Sequence, residues 1–449
     1  MYLLSKSALN LTLLRIYIFT NTDKTTTIPN YLNTMSYLII IMIERETEKN
    51  AAISAKMSEH KNEYSGELYI IGILTFILMF SVSLIYPVLE EFVMDRFSVE
   101  SVAETSLFVS VNLAAYVIFA LVWGSISDMI GKRKVFIVGG FLGNALLMFC
   151  LTLAPSLPVL LVLRFIEGSF TIMAFALLMT SVLDIVKKTH YGRGMGVLGM
   201  GMALGNGLGA PAGGRIGALD PLYPLYFGAT MLLFGSVIAA FALKERKLEA
   251  KPASLKDALQ LLREEKRIFI PYAFSFVERF TVGFFVSVFP IMLAMKYHLG
   301  PGSIGIYMMA FLIPFALLQY PLGAISDKIG RVIPLMIGSI LYGIMVAVVG
   351  IVAPPVLTLI MVFGGIVGAL MYPPSAALAG DLASSSRRGT AMGGFNLFGS
   401  LGFAISPFIG GLIADRYGFQ TSFAVAGATV IIVALVFMPF LLRMERVRK

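Results

Sequence analysis

From Leu68 onward, apolar stretches of about 20 residues alternate with short polar breaks. A helix rises about 1.5 Å per residue, so a stretch of that length crosses a hydrocarbon core of roughly 30 Å. The pattern predicts spans over 68–93, 104–127, 134–154, 157–186, 193–214, 222–243, 268–296, 302–325, 332–352, 355–383, 389–413 and 420–442. The predicted fold class is therefore an all-α integral membrane protein with about twelve transmembrane helices.

Residues 1–67 break this pattern. Their apolar patches, Leu11–Thr20 and Tyr37–Ile43, are too short to span. No small-residue cleavage site follows a clean apolar core, which argues against a signal peptide. The segment reads either as a disordered tail or as an upstream start with initiation at Met57. One long internal polar stretch, 244–267, separates spans six and seven, and its Ser254–Arg263 part can form an amphipathic surface helix.

The spans on either side of that linker repeat one another. GSISDMIGKRK (Gly124–Lys134) recurs as GAISDKIGRV (Gly323–Val332). Asp184 recurs as Asp381, the pair Gly213-Gly214 as Gly410-Gly411, and Pro87 as Pro290. Four marks in the same order predict two pseudo-symmetric six-helix bundles, 68–243 and 268–449, joined by the linker 244–267. Duplicated halves with a site between them are the architecture of secondary transporters.

Composition agrees: 57% of residues are hydrophobic and 14% charged, too few polar groups to cover a soluble surface of this length. A net charge of +9 raises the question of nucleic acid, but its placement answers it. The loops after even-numbered spans and the C-terminus hold 22 Lys and Arg, whereas the opposite loops hold four: Arg96, Arg215, Lys296 and Arg416. That bias sets orientation and lipid contact, and it predicts a multi-pass protein of the cell membrane with both termini cytoplasmic and no nucleic-acid partner. Cys150 is the only cysteine, His60, His190 and His298 are scattered, and no nucleotide-binding loop of the form G-x4-G-K-[ST] occurs. No metal site, cofactor or enzymatic activity is expected.

Three motifs carry the candidate chemistry. Gly124, Asp128, Gly131, Lys132 and Arg133 end the second span with a carboxylate, a tight turn and cations. A carboxylate at a helix C-terminus opposes the macrodipole and needs a partner. Arg164 and Glu167 stand three residues apart in the fourth span, so they share a face. Arg164 is about 11 Å inside the boundary, where a charge is costly and by default functional. The fifth span carries Gly201, Gly205, Gly209 and Gly213 at intervals of four, with Pro211 and Gly214, a smooth face for close helix packing. In the seventh span Glu278 lies near the midplane beside Arg279. Adjacent helical residues point about 100° apart, so at most one faces a cavity squarely, and Glu278 is the expected one, with Arg279 pairing sideways. Asn112 and Asn396 are further polar groups within spans, read either as cavity contacts or as interhelical hydrogen bonders.

On these motifs, over residues 68–443, the chain resembles the major facilitator superfamily and, within it, the twelve-helix drug-exporter-like branch. The resemblance implies that Asp128 faces the N-terminal end of helix 11 and that Lys132 pairs with Asp184, a cytoplasmic latch for the outward-facing state. The second copy of that gate motif is Gly323, Asp327, Gly330 and Arg331. The branch has a basic residue where Met129 stands, Gln where Glu167 stands and Gly-Pro-x-x-Gly-Gly where this chain has Ala210 and Pro211. Its arginine at the Arg164 position is implied to take part in proton coupling; the alternative is a structural buried pair with Glu167. The expected function is secondary transport of a small solute, as proton-coupled efflux of amphiphilic or drug-like compounds by a monomer. The alternatives are a proton symporter importing a sugar or organic anion and, more remotely, a non-transporting membrane sensor.

Overall fold

The computed structural model describes residues 66–186, 191–245, 261–383 and 387–448. The tail, its alternative start and residues 254–260 of the predicted surface helix lie outside them. Residues 261–264 are helical. The described residues form helices and connecting turns, with no strand among them.

The order is α1 (Gly66–Val88, continuing irregularly through Glu90–Asp95), α2 (Val102–Ile130), α3 (Lys134–Thr152), α4 (Leu157–Ile185), α5 (Tyr191–Gly217) and α6 (Tyr223–Ala242). Then follow α7 (Lys266–Tyr297), α8 (Pro301–Ile329), α9 (Val332–Val349) and α10 (Pro354–Leu382). Finally α11 and α12 share Arg388–Arg448. Gly418, at φ 80°, divides these last two, a backbone conformation that a side chain would strain. Among the described residues ten stretches are long and apolar enough to cross a membrane; one of them holds both α11 and α12, and glycine-rich α5 falls outside the ten.

Proline shapes the matching ends of α1 and α7. Pro87 sits in a tight three-residue turn followed by a widened one, Glu90–Asp95. Pro290 follows a break at Ser287, which leaves helical geometry at φ −127°, ψ −70°. A proline supplies no N–H and crowds the carbonyl four residues back, so each helix must bend at this point.

The short loops at this end hold a second repeated device. Arg96, after α1, donates to the carbonyls of Leu151, Thr152 and Ala154 at the C-terminus of α3, at 3.3, 2.7 and 2.9 Å. Lys296, in the last turn of α7, donates to Gly350 O at the C-terminus of α9 at 2.7 Å, and the neighbouring Tyr297 hydroxyl donates to Val352 O at 2.8 Å. Cations suit the negative end of a helix dipole, so both are structural caps.

The two halves meet at the end opposite the basic turns. Ser106 and Ser287 hydroxyls lie 2.9 Å apart between α2 and α7, and Phe408 N donates to Ser110 Oγ between α11 and α2. A side chain on Gly305 of α8 would stand 2.6 Å from Ala210 O of α5, so these backbones touch. Toward the basic end these helices are more exposed: Met129 and Ile130 on α2 are 86% and 55% exposed, Ile325 and Ile329 on α8 45% and 52%. Nothing lies within 4 Å of where a side chain on Gly124 or Gly131 would begin.

Candidate functional site

The helical spacing of three brings Arg164 and Glu167 onto one face of α4, and both are buried. Arg164 Nη1 donates to Glu167 Oε2 at 2.9 Å. Asn112 Nδ2, from α2, donates to the same oxygen at 2.6 Å, and the Thr171 hydroxyl donates to Oε1 at 2.8 Å. Both oxygens of Glu167 are therefore occupied. The guanidinium also lies over the Phe108 ring, 4.5 Å from its centre, while its Nε and Nη2 have no hydrogen-bond partner. Asn112 is part of this cluster. Asn396 is exposed on α11 and is not among the partners of Glu167.

The α7 pair is looser. Arg279 Nε stands 3.9 Å from Glu278 Oε2, the side chains being 28% and 5% exposed. Glu278 Oε2 is buried without a hydrogen-bond partner. The Thr281 hydroxyl, one turn on, bonds to Glu278 O at 2.7 Å and lies 3.1 Å from the Tyr342 hydroxyl of α9, so this turn is tied into its own half. Arg279 leans over the Tyr372 ring of α10, 5.6 Å from its centre. Against expectation, the arginine is thus the accessible member and the glutamate the enclosed one. The reason is reach: a short carboxylate stays between helices, while a long guanidinium extends along an apolar surface to open space.

At the basic turns the carboxylate of Asp184 pairs with Arg133, not with Lys132. Arg133 Nε lies 2.5 Å from Asp184 Oδ2, Nη1 donates to Thr180 Oγ1 at 3.0 Å, and Nη2 lies 3.3 Å from Asp128 Oδ1. Glu245, after α6, accepts from Arg133 N at 2.8 Å at the start of α3. Lys132 sits one residue too early; its carbonyl accepts from Ser127 Oγ, and its side chain is exposed. In the second half Arg331 bridges Asp327 and Asp381. Arg133 and Arg331 both occupy the residue preceding the next helix. The turns differ by one residue because Gly131 is left-handed helical (φ 71°, ψ 21°) and Gly330, also at positive φ, lies outside that region (φ 97°, ψ 160°).

The glycines of α5 face α1 of the same half. A side chain on Gly205 would stand 2.7 Å from Phe76 O and one on Gly209 2.5 Å from Phe80 O; Gly213 meets Leu84 in the same register. Gly214 and Pro211 point the other way, toward Pro301 and Gly305 of α8. Gly323 on α8 is against Pro373, 3.3 Å away.

One contact between halves went unread in the sequence. Asp415, in the last turn of α11, accepts from Ser101 Oγ at 2.7 Å, Val102 N at 2.8 Å and Ala103 N at 3.0 Å at the start of α2.

Comparison with known proteins adds the family. The sequence profile described as Major Facilitator Superfamily matches residues 71–277 and again 271–449. An uncharacterized MFS-type transporter of Methanocaldococcus jannaschii, MJ1560, is 32% identical over 38% of this chain and 45% of its own length. A second from that organism, MJ1317, is 27% identical over 79% of this chain and 89% of its own. The multidrug resistance protein MdtG of Salmonella choleraesuis is 25% identical over 70% and 79%. Among solved structures, a bacterial homologue of the human lysosomal transporter Spinster, inward-facing and occupied, superposes with a TM-score of 0.73 at 12% identity, covering 84% of this chain and 96% of that one. The nucleoside transporter NupG does so with 0.65 at 15% identity, over 83% and 98%.

Proposed function

The chain belongs to the Major Facilitator Superfamily, a family of membrane transporters rather than enzymes, and from that premise we propose that it exports amphiphilic or drug-like compounds in exchange for protons. The basic end is cytoplasmic, as the charge bias of the loops requires, so the halves open toward the cytoplasm. The two bundles 68–243 and 268–449 rock about the site between them, and a single chain suffices. The likeness to a multidrug resistance protein supports the substrate class.

One observation carries the coupling: Glu278 has a buried oxygen with no donor, whereas Glu167 has none to spare. A proton can occupy Glu278 Oε2, and its arrival releases Arg279, which lies 3.9 Å away and is partly accessible. Substrate or solvent then competes for that guanidinium. Flux against an imposed pH gradient in liposomes tests this. Glu278→Gln should abolish proton-driven flux and leave substrate exchange; undiminished proton-driven flux removes Glu278 from the mechanism.

A second reading, import of an organic anion with protons, has its own support in the unpartnered Nε and Nη2 of Arg164. Uptake of anionic solutes, competed by other anions, would favour it over export.

A further inference from the structure

We propose that the short helix of residues 261–264, just before α7, is a lid on the basic end of the second half: docked, it clamps α7 to α11, and it lifts without the bundle opening. The segment is built for one-sided contact. Leu261 is buried and Leu262 partly so, whereas Arg263 and Glu264 are exposed. Glu265 separates the lid from α7, because at φ −120°, ψ 83° it leaves helical geometry. Beyond the leucines, the lid is fastened by an ion pair from Glu264 to Arg387, the residue before α11. Both side chains of that pair are exposed, so water screens it and its hold is slight.

Leu261 packs in a small apolar cluster with Ile268 and Tyr272 of α7, Ala379 of α10, and Ala391 and Phe395 of α11. That cluster is separate from the main core of the bundle. A region with few buried contacts of its own opens at a lower free energy than the core does. One group in it also works against closure. Tyr272 is 1% exposed, and its hydroxyl is buried without a hydrogen-bond partner. It abuts α11 at Gly394, where any side chain would collide with it. A sealed hydroxyl with no partner is costly, and lifting the lid admits water to it. The docked state is thus held by Leu261 and opposed by Tyr272, a balance that suits a moving part. Because the cluster joins α7 to the first turns of α11, the lid sets how freely those turns move. It touches neither the Arg164–Glu167 pair nor the Glu278–Arg279 pair, so it acts as a conformational control separate from the transported solute.

The inference does not depend on substrate, direction or protons, so cysteine accessibility tests it separately from flux. In full-length protein in lipid nanodiscs, with Cys150 replaced by serine, Ala391→Cys places one thiol in the cluster and, in a second protein, Ala434→Cys places one in the main core; both positions are fully buried. A water-soluble maleimide should label position 391 slowly, and Leu261→Ala should speed that about tenfold or more. Tyr272→Phe keeps the ring, removes the unmet hydroxyl and should slow labelling about fivefold. Arg387→Gln should change the rate by about twofold or less. Position 434 should stay unlabelled throughout. Ala379→Cys takes the place of Ala391→Cys if that protein does not fold, and Tyr272→Phe alone decides if Leu261→Ala does not. Labelling at position 391 that Leu261→Ala leaves unchanged overturns the lid, as does a matching rise at position 434, which would mean that the whole bundle opens. Labelling of the Tyr272→Phe protein as fast as its parent overturns the opposition of hydroxyl and leucine.

Discussion

The two halves each bury an arginine beside a glutamate, yet the pairs are built differently. In α4 the charges are sealed, the pair is short at 2.9 Å, and asparagine and threonine fill the remaining carboxylate sites. In α7 the pair is 3.9 Å apart, one carboxylate oxygen is idle and the arginine is 28% exposed. The same two residue types therefore do two jobs. A sealed pair whose carboxylate is fully bonded holds helices in place, because either charge alone would be stranded. A loose pair with an idle acceptor has states to exchange.

The sharpest way to break this contrast is to remove each arginine. Arg164→Ala should cost about 3–5 kcal/mol of stability by leaving Glu167 buried and unpaired. Arg279→Ala should cost about 1 kcal/mol or less, since solvent screens a partly exposed pair. Thermal unfolding in detergent measures both, and equal losses would erase the distinction. The next effect is at the turns. Arg133→Ala should cost about 1–3 kcal/mol, because it strips charged hydrogen bonds from Asp184 and Thr180. The smallest effect sharpens the same point: Lys132→Ala should stay within about 0.5 kcal/mol. A Lys132 variant as destabilised as the Arg133 variant would return the Asp184 contact to the lysine.

The spans, the repeat and the α4 pair were legible in the sequence because each rests on spacing along one helix. Asp128 and its turn were legible for the same reason. The pairing of Lys132 with Asp184 that the resemblance implied is taken by Arg133 instead, because the two turns differ by one residue. The conformations of Gly131 and Gly330 differ, and the cation that matters is the one just before the next helix. For Glu278 and Arg279 the sequence could not show that the arginine would be the more exposed of the two, since that depends on side-chain length as well as on helical angle. Asn396 stands exposed on α11, and polarity within a span does not by itself say which face it occupies. Asp415 passed unnoticed beside Arg416, whose charge drew the reading of that loop. Its partners lie about 310 residues away in the chain, and only a pairing of helix ends between halves would have pointed to them.

The caps on α3 and α9 bear on how tolerant each half is of mutation. One guanidinium covers three carbonyls in the first half, because its planar fork presents several donors at once. An ammonium lacks that fork, and in the second half the task is divided between Lys296 and the hydroxyl of Tyr297. The first arrangement has a single point of failure, whereas the second is divided between two residues and two carbonyls. Substitution of Arg96 therefore removes three contacts at once, whereas substitution of Lys296 leaves the Tyr297 contact to Val352 O in place.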